Sequence, residues 1–214
     1  MCERESVGCL YVDGRLFDRH ALDGSDLVSD IPGVEIHPFH CANIHVLWDR
    51  LQCALYDLRG EWGTAAMIAV GAGCAPALAL ACQLQVEKLV LIDPSAPVRA
   101  SRLSGKKGNE DSDDGQRVRA LRRLAAFARR NLPLCVSDML IIGQGAECGE
   151  DALRRAYGNP VNCRVNRLDV RGKSDKDLYT IREIAVKAAI SRFLNPFELS
   201  KPLAENPEMC IIYG

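Results

Sequence analysis

Amphipathic and fully apolar stretches alternate along this chain. Residues 44–58 carry apolar side chains at spacings of three and four, a period that predicts a helix capped by Asn43 and followed by Gly60. Residues 64–70 come next and are apolar on both faces, which is typical of a central parallel strand. The repeated alternation of such strands with helices predicts an α/β protein: a three-layer sandwich with a mainly parallel central sheet and helices on both faces.

The same pattern extends through most of the sequence. Further strands are predicted at residues 9–12, 33–38, 88–92, 139–143 and 163–170. Further helices are predicted at residues 76–84, 116–131, 150–157 and 179–194. Residues 101–115 have almost no apolar content and are predicted to form an exposed, mobile loop. We therefore expect a single domain over residues 1–194, followed by a tail at residues 195–214.

Composition excludes several classes of protein. The chain has 214 residues, of which 48% are hydrophobic and 26% are charged, so it is not disordered, collagen-like or a small disulfide-stapled module. Its 27 basic residues nearly balance its 28 acidic ones, which leaves no net field to attract nucleic acid or an anionic membrane. The longest apolar stretch, residues 67–84, is interrupted by Gly71, Gly73 and Pro76 and is not predicted to span a membrane.

The amino terminus and the cysteines indicate a reducing compartment. The first residues have mixed charge and no apolar h-region, so we expect a cytoplasmic protein rather than an exported one. The chain has ten cysteines, and none of them falls in a Cys-x-x-Cys pair. Most of these cysteines are therefore expected to act as small buried hydrophobic residues.

The most informative segment is the turn in which the strand at residues 64–70 passes through two glycines directly into an alanine-rich helix. Such a turn requires residues that adopt positive φ and lack bulk where the helix meets the strand. One interpretation is a dinucleotide-binding turn, Gly71-x-Gly73-x-x-Pro76, with Asp93 ending the next strand where a ribose-binding carboxylate belongs. It predicts a Rossmann-type nucleotide-binding enzyme, with proline in place of the third glycine.

The other interpretation is a nucleophile elbow. Residues 70–81 and the later Leu-Val-Leu-Ile-Asp-Pro segment resemble the α/β-hydrolase fold superfamily, in which Gly-x-Ser-x-Gly joins a central strand to its helix. The resemblance covers nearly the whole chain. It implies that Gly14 marks the turn of the oxyanion-hole loop, that residues 95–131 match a lid-like insertion, and that residues 140–143 match the strand before the catalytic acid.

The resemblance implies a Ser-His-Asp triad that this sequence does not supply. Gly73 falls at the serine position and has no side chain to act as a nucleophile. All four histidines lie before residue 46, whereas the base of the family follows the last strand, where this chain has Lys176. The acid position holds Ala146, with Glu147 beside it. Because triad members act as a unit, we expect the fold to be kept and the triad chemistry to be lost.

We therefore expect an α/β-hydrolase-like protein with a degenerate active site, which acts through binding or interaction and uses no cofactor. Its pocket is expected at the carboxyl ends of the strands, where open α/β sheets bind ligands. The backbone of Gly73, Cys74 and Ala75 would form the floor, and the amides at the start of the helix would suit a small carbonyl or acyl ligand.

A catalytic alternative remains open from the sequence. Cys74 lies at a helix amino terminus, which lowers the pKa of a thiol, so it is a candidate nucleophile for an esterase or thioesterase. It stands one residue after the serine position, which favours a buried thiol instead. A nonstandard arrangement would use Ser174, Asp175 or Lys176.

Three other features have simpler explanations. His37, His40, Cys41 and His45 are zinc-ligand types, but their spacing fits no closed site, so we expect surface or hydrogen-bonded histidines and no metal. The six arginines of the predicted helix at residues 116–131 are expected to form a solvated face and not a nucleic-acid site. The apolar end of the tail is expected to dock on its own surface or on a second subunit, which would make a homodimer.

Overall fold

The computed structural model describes residues 6–17, 28–94, 113–131, 135–143, 164–169 and 175–195. The strands are β1 (Val7–Val12), β2 (Val34–Pro38), β3 (Ala66–Val70), β4 (Val86–Ile92), β5 (Val136–Gly143) and β6 (Arg164–Asp169). The helices are α1 (Leu47–Trp62), α2 (Cys74–Ala81), α3 (Asp113–Arg130) and α4 (Asp175–Leu194), with 3-10 turns at Ile44–Val46 and Gly71–Gly73. Within the described ranges, the strands form one parallel sheet in the order β2-β1-β3-β4-β5-β6.

Helices cover both faces of this sheet, as the alternation of elements predicts. Alternate residues of the inner strands enter two separate buried clusters, because successive side chains of a strand point to opposite faces. One cluster also contains buried side chains of α1, α2 and α3. The other contains Val186, Ile190 and Leu194 of α4. The predicted three-layer α/β sandwich is therefore confirmed.

Helix α2 lies deepest in the structure, and every one of its residues is buried. It packs against β3 and β4 on one side and against α3 on the other. Four of its eight residues are alanines, so the sheet and α3 approach closely without voids. The helix begins at Cys74, two residues before the predicted start, because the 3-10 turn Gly71–Gly73 leads straight into it.

The carboxyl end of helix α1 differs from the end that the sequence pattern predicts. Leu47, Leu51, Leu55 and Leu58 form its buried face, as the spacing predicts, and the Asn43 side chain accepts a hydrogen bond from the His45 amide at 2.9 Å. The prediction that the helix ends before Gly60 is wrong, because the helix continues to Trp62. The terminating residue is Gly63, whose φ of 71° is left-handed and whose amide donates to the Arg59 carbonyl at 2.9 Å.

Two more helices begin earlier than predicted. Helix α3 begins at Asp113, so residues 113–115 belong to it and not to the predicted mobile loop. Helix α4 begins at Asp175, so Lys176 lies in its first turn. Acidic residues are favoured in the first turn of a helix by the helix dipole, which explains why both helices take in aspartates that the apolar period leaves out.

The end of α4 is tied to the sheet by Lys88 of β4. Its ammonium donates to the carbonyls of Phe193 at 2.9 Å and Leu194 at 2.8 Å, which are among the carbonyls that a helix leaves unpaired at its end. Burial lowers the pKa of Lys88, and the charge of Asp138 acts in the opposite direction. The contact holds the carboxyl end of the helix over the second face of the sheet.

Several predicted elements lie outside the described residues: the helix at residues 150–157, residues 101–112 of the mobile loop, and residues 196–214 of the tail. Among the helices that are described, none is both long and apolar enough to cross a membrane.

Two glycines at the end of α1 should respond oppositely to alanine substitution. Gly60 is helical and an added Cβ meets nothing within 4 Å, so Gly60→Ala should raise the free energy of unfolding by about 0.5–1 kcal/mol. Gly63 also has space for a Cβ, but its backbone is left-handed, so Gly63→Ala should lower the free energy of unfolding by about 1 kcal/mol. Urea unfolding of the two variants measures both values, and the same sign for both would contradict the observed helix end.

Candidate functional site

The sheet order reverses at β1, since β2 lies on one side of it and β3 on the other. Ligands of open α/β sheets bind at the carboxyl ends of the strands beside such a reversal. The structure brings most of the predicted site residues to this edge. Gly14 follows β1, the turn Gly71–Gly73 follows β3, and Asp93 follows β4. We call Gly71–Gly73 the elbow turn.

Gly71 is the left-handed residue of the elbow turn. Its φ is 56°, and among the described residues no atom lies within 4 Å of a Cβ added to it. A side chain at this position would therefore face open space at the carboxyl edge of the sheet. A nucleophile elbow presents its reactive side chain from a strained turn in just this way.

Gly73 is in a different environment from the one that the sequence alignment implies. Its φ of −64° is right-handed helical, and the residue is buried. An added Cβ would overlap the carbonyl oxygen of Val12 and would lie 2.8 Å from the carbonyl carbon of Asp13. A nucleophile at position 73 would have no room, so the glycine here permits close packing of the turn against the end of β1.

Gly14 completes this contact from the other side. A Cβ on Gly14 would lie 3.0 Å from the Ala72 amide nitrogen and 3.4 Å from the Val70 carbonyl oxygen. The turn after β1 thus lies directly on the elbow turn. The role of Gly14 in an oxyanion-hole loop stays a prediction. With Gly71 as the presenting residue, Ala72 is the next residue, whose amide such a hole uses.

Cys74 points into the protein, and neither Cys74 nor Ala75 has any exposed surface. Its Sγ lies 3.4 Å from the Ala69 carbonyl oxygen and 3.9 Å from that of Ile92. Burial raises the pKa of the Cys74 thiol far above its ordinary value, the hydrogen bond to Ile92 lowers it, and the charge of Asp93 raises it further. A reactive thiolate requires exposure and a lowered pKa, and Cys74 has neither.

Asp13 is a buried carboxylate at the site that the sequence pattern did not identify. It is 7% exposed; its Oδ2 accepts the Tyr11 hydroxyl at 2.8 Å, and its Oδ1 accepts the Arg15 amide at 2.7 Å. The Arg15 amide is therefore occupied and does not serve a ligand. The Nε of Arg15 lies 3.4 Å from the same Oδ1, so the Arg15 guanidinium balances the charge of Asp13. The sequence gives one signal for this buried carboxylate: Asp13 directly follows a buried strand that ends in Tyr11 and Val12.

Asp93 adopts a left-handed backbone, with a φ of 45°, directly before Pro94. This conformation is strained for a residue other than glycine and occurs often at functional sites. The Asp93 amide donates to the Ile142 carbonyl at 2.8 Å, which fixes the end of β4 against β5. Its predicted role in a nucleotide site stays a prediction.

The histidines that are zinc-ligand types lie on and after β2. His37 lies on β2, His40 follows it and His45 lies in the 3-10 turn before α1. Over the described residues, no three side chains of histidine, cysteine, aspartate or glutamate are grouped to hold a metal ion. His20, Ala146, Glu147 and Ser174 lie outside those residues.

The fold has known counterparts among solved structures, although no protein-family model and no curated protein matches the chain. An esterase domain from Rhodothermus marinus aligns at a TM-score of 0.57 and 16% identity, over 91% of this chain and 90% of that one. One of two metagenome-derived lipolytic enzymes aligns at 0.53 and 13% identity, over 86% and 95%. An α/β hydrolase from Sphaerobacter thermophilus aligns at 0.51 and 12% identity, over 88% and 93%. The chain has the α/β-hydrolase fold, as its resemblance implies.

The two glycines of the elbow turn should differ sharply in tolerance to a side chain. Gly71→Ala adds a Cβ in open space and should cost about 1–2 kcal/mol of stability through left-handed strain. Gly73→Ala forces a Cβ onto the backbone of β1 and should cost more than about 3 kcal/mol or prevent folding. Chemical unfolding of both variants tests this, and a Gly73→Ala variant as stable as Gly71→Ala would show that position 73 has room after all.

Cysteine labelling should separate inert from accessible thiols. Cys53 and Cys135 are exposed, whereas Cys74 and Cys9 are buried with raised pKa values. A maleimide should modify the first pair in the folded protein and reach the second pair only after unfolding, which peptide mass spectrometry can follow. Raising the pH to 9 should not change this order, since burial keeps both inner thiols protonated. Labelling of Cys74 as fast as that of Cys53 would show that the Cys74 thiol is accessible and would contradict its burial.

Proposed function

We propose that this protein is a non-catalytic binding protein built on the α/β-hydrolase fold. One observation carries the proposal: the turn from which this fold presents its nucleophile has glycine at its left-handed position, Gly71. A glycine offers no group to form a covalent intermediate. We therefore propose a degenerate elbow in which Gly71, instead of the Gly73 inferred from the sequence, is the position without a side chain.

The surrounding groups support the same proposal. Cys74 is enclosed and protonated, and so does not replace the missing nucleophile. Asp13 accepts the Arg15 amide and is ion-paired with the Arg15 guanidinium, so the Arg15 amide is not available to stabilise an oxyanion. Both features oppose acyl transfer by the mechanism of serine or cysteine hydrolases.

The elbow turn, at the carboxyl ends of the strands, has polar backbone groups beside the open space at Gly71. The space at Gly71 would admit a small neutral carbonyl or acyl group, which accepts hydrogen bonds from backbone amides. We propose such a ligand, held without turnover, as the partner of this site.

Ester hydrolysis tests the proposal directly. The purified full chain should hydrolyse p-nitrophenyl acetate and butyrate no faster than buffer, and Cys74→Ala should give the same trace. Turnover that disappears in Cys74→Ala would establish a cysteine enzyme, and turnover that survives it would establish another nucleophile; either result overturns the proposal. Titration with a non-hydrolysable short-chain amide should then shift the amide signals of Gly71 and Ala72 in an NMR spectrum, with Gly60 as an unaffected reference.

A further inference from the structure

A cavity of about 530 Å³ lies along the edge of the sheet, between β2 and α1, and we call it the edge cavity. One wall is formed by residues 37–40, at and just after the end of β2, and the other by one flank of α1. No residue of the elbow turn lines it. Its volume lies within the range of sites that bind small molecules.

The base of the edge cavity is apolar. Leu10 of β1, Phe39 and Leu58 of α1 line it and are buried to within 5% exposure. Ala54 contributes a further apolar side chain from the middle of α1. A ligand with a short hydrocarbon or aromatic body would gain by covering this surface.

The α1 wall is acidic. Asp49, Asp57 and Glu61 line the cavity, against the single guanidinium of Arg50. No ion pair joins these three carboxylates to another described side chain. The wall therefore carries excess negative charge and disfavours an anionic ligand.

Two of these carboxylates oppose the stability of their own helix. Asp57 and Glu61 are four residues apart, a spacing at which like charges repel on a helix. Glu61 also stands next to the last residue of α1, at the end where the helix dipole disfavours an anion. Local rules broken in this way are typical of functional positions, since a cationic partner would turn both penalties into attractions.

The β2 wall carries two histidines, His37 and His40. Their Nε2 atoms are enclosed and have no hydrogen-bond partner among the described residues. The His37 nitrogen lies 3.7 Å from a carboxylate oxygen of Glu35, and its ring meets the edge of the Trp62 ring at 6.0 Å between centroids. Enclosed polar atoms are rarely left unpaired in proteins, and both of these rings belong to residues that line the cavity.

We propose that the edge cavity binds an organic ammonium ion with a short apolar body. The carboxylates of α1 would attract the charge, and the apolar base would cover the body of the ligand beside His37 and His40. This site is separate from the elbow turn, and the inference does not rest on the function proposed there.

Titration of the full chain with 2-phenylethylammonium tests the proposal. Histidine ring signals in an NMR spectrum should shift and saturate for His37 and His40, with a dissociation constant of about 1 mM or lower. His45 does not line the cavity and serves as the internal reference. Phenylacetate and 2-phenylethanol have the same apolar body with a negative and a neutral end, and they should bind at least about tenfold more weakly.

Charge-neutralising variants test whether the carboxylates of the α1 wall bind the ammonium ion. Asp57→Asn with Glu61→Gln should weaken binding of the ammonium by about tenfold and should not lower the melting temperature, because both side chains are exposed and their repulsion is removed. Glu183→Gln on α4, which is remote from the cavity lining, is the control and should bind as the unaltered chain does. The proposal is overturned by equal binding of phenylacetate, by a double variant with unchanged affinity, or by ring signals of His37 and His40 that do not move.

Discussion

The backbone at the end of β1 lies directly against the turn after β3, and the rest of the site depends on this contact. Gly73 brings its Cα against the carbonyls of Val12 and Asp13, and Gly14 does the same toward Val70 and Ala72. A side chain on Gly73 would overlap backbone atoms, which cannot move aside without disturbing two paired strands. This contact orients Gly71 outward and Cys74 inward, so one packing constraint determines which residues of the turn a ligand can meet.

The same constraint explains why groups with catalytic potential are used structurally. Cys74 fills a space between β3 and β4, where its thiol donates weakly to the carbonyls of Ala69 and Ile92. Asp13 holds the turn after β1 by accepting the Tyr11 hydroxyl and the Arg15 amide. In each case the side chain already makes its hydrogen bonds within the fold. A side chain that is hydrogen-bonded in this way is less available to a substrate.

The fold could be predicted from the sequence to a greater depth than the site. Strand β3 and the later parts of β4 and β5 are apolar on both faces, and α2 is mostly alanine and leucine, so a covered parallel sheet follows from local composition. The choice between Gly71 and Gly73, and between Gly60 and Gly63, could not be predicted in this way. Each depends on backbone angles that neighbouring elements impose, and two glycines close in sequence look alike until those neighbours are known. The edge cavity could not be predicted for a related reason, because His37 and Asp57 line it from two different elements, β2 and α1.

The elbow turn and the edge cavity differ in the groups that they offer to a ligand. At the strand reversal, polar groups are paired and the turn is closed by backbone contact, so little interaction energy is left for a charged ligand. Beside β2 the opposite holds, since α1 keeps unpaired carboxylates next to an apolar base and the histidines keep enclosed nitrogens without partners. Buried polar atoms without partners cost stability, which applies to the histidine nitrogens and not to the exposed carboxylates. Beside β2 the described structure therefore offers charged side chains and apolar surface for recognition, whereas the elbow turn of β3, on the other side of β1, offers backbone amides.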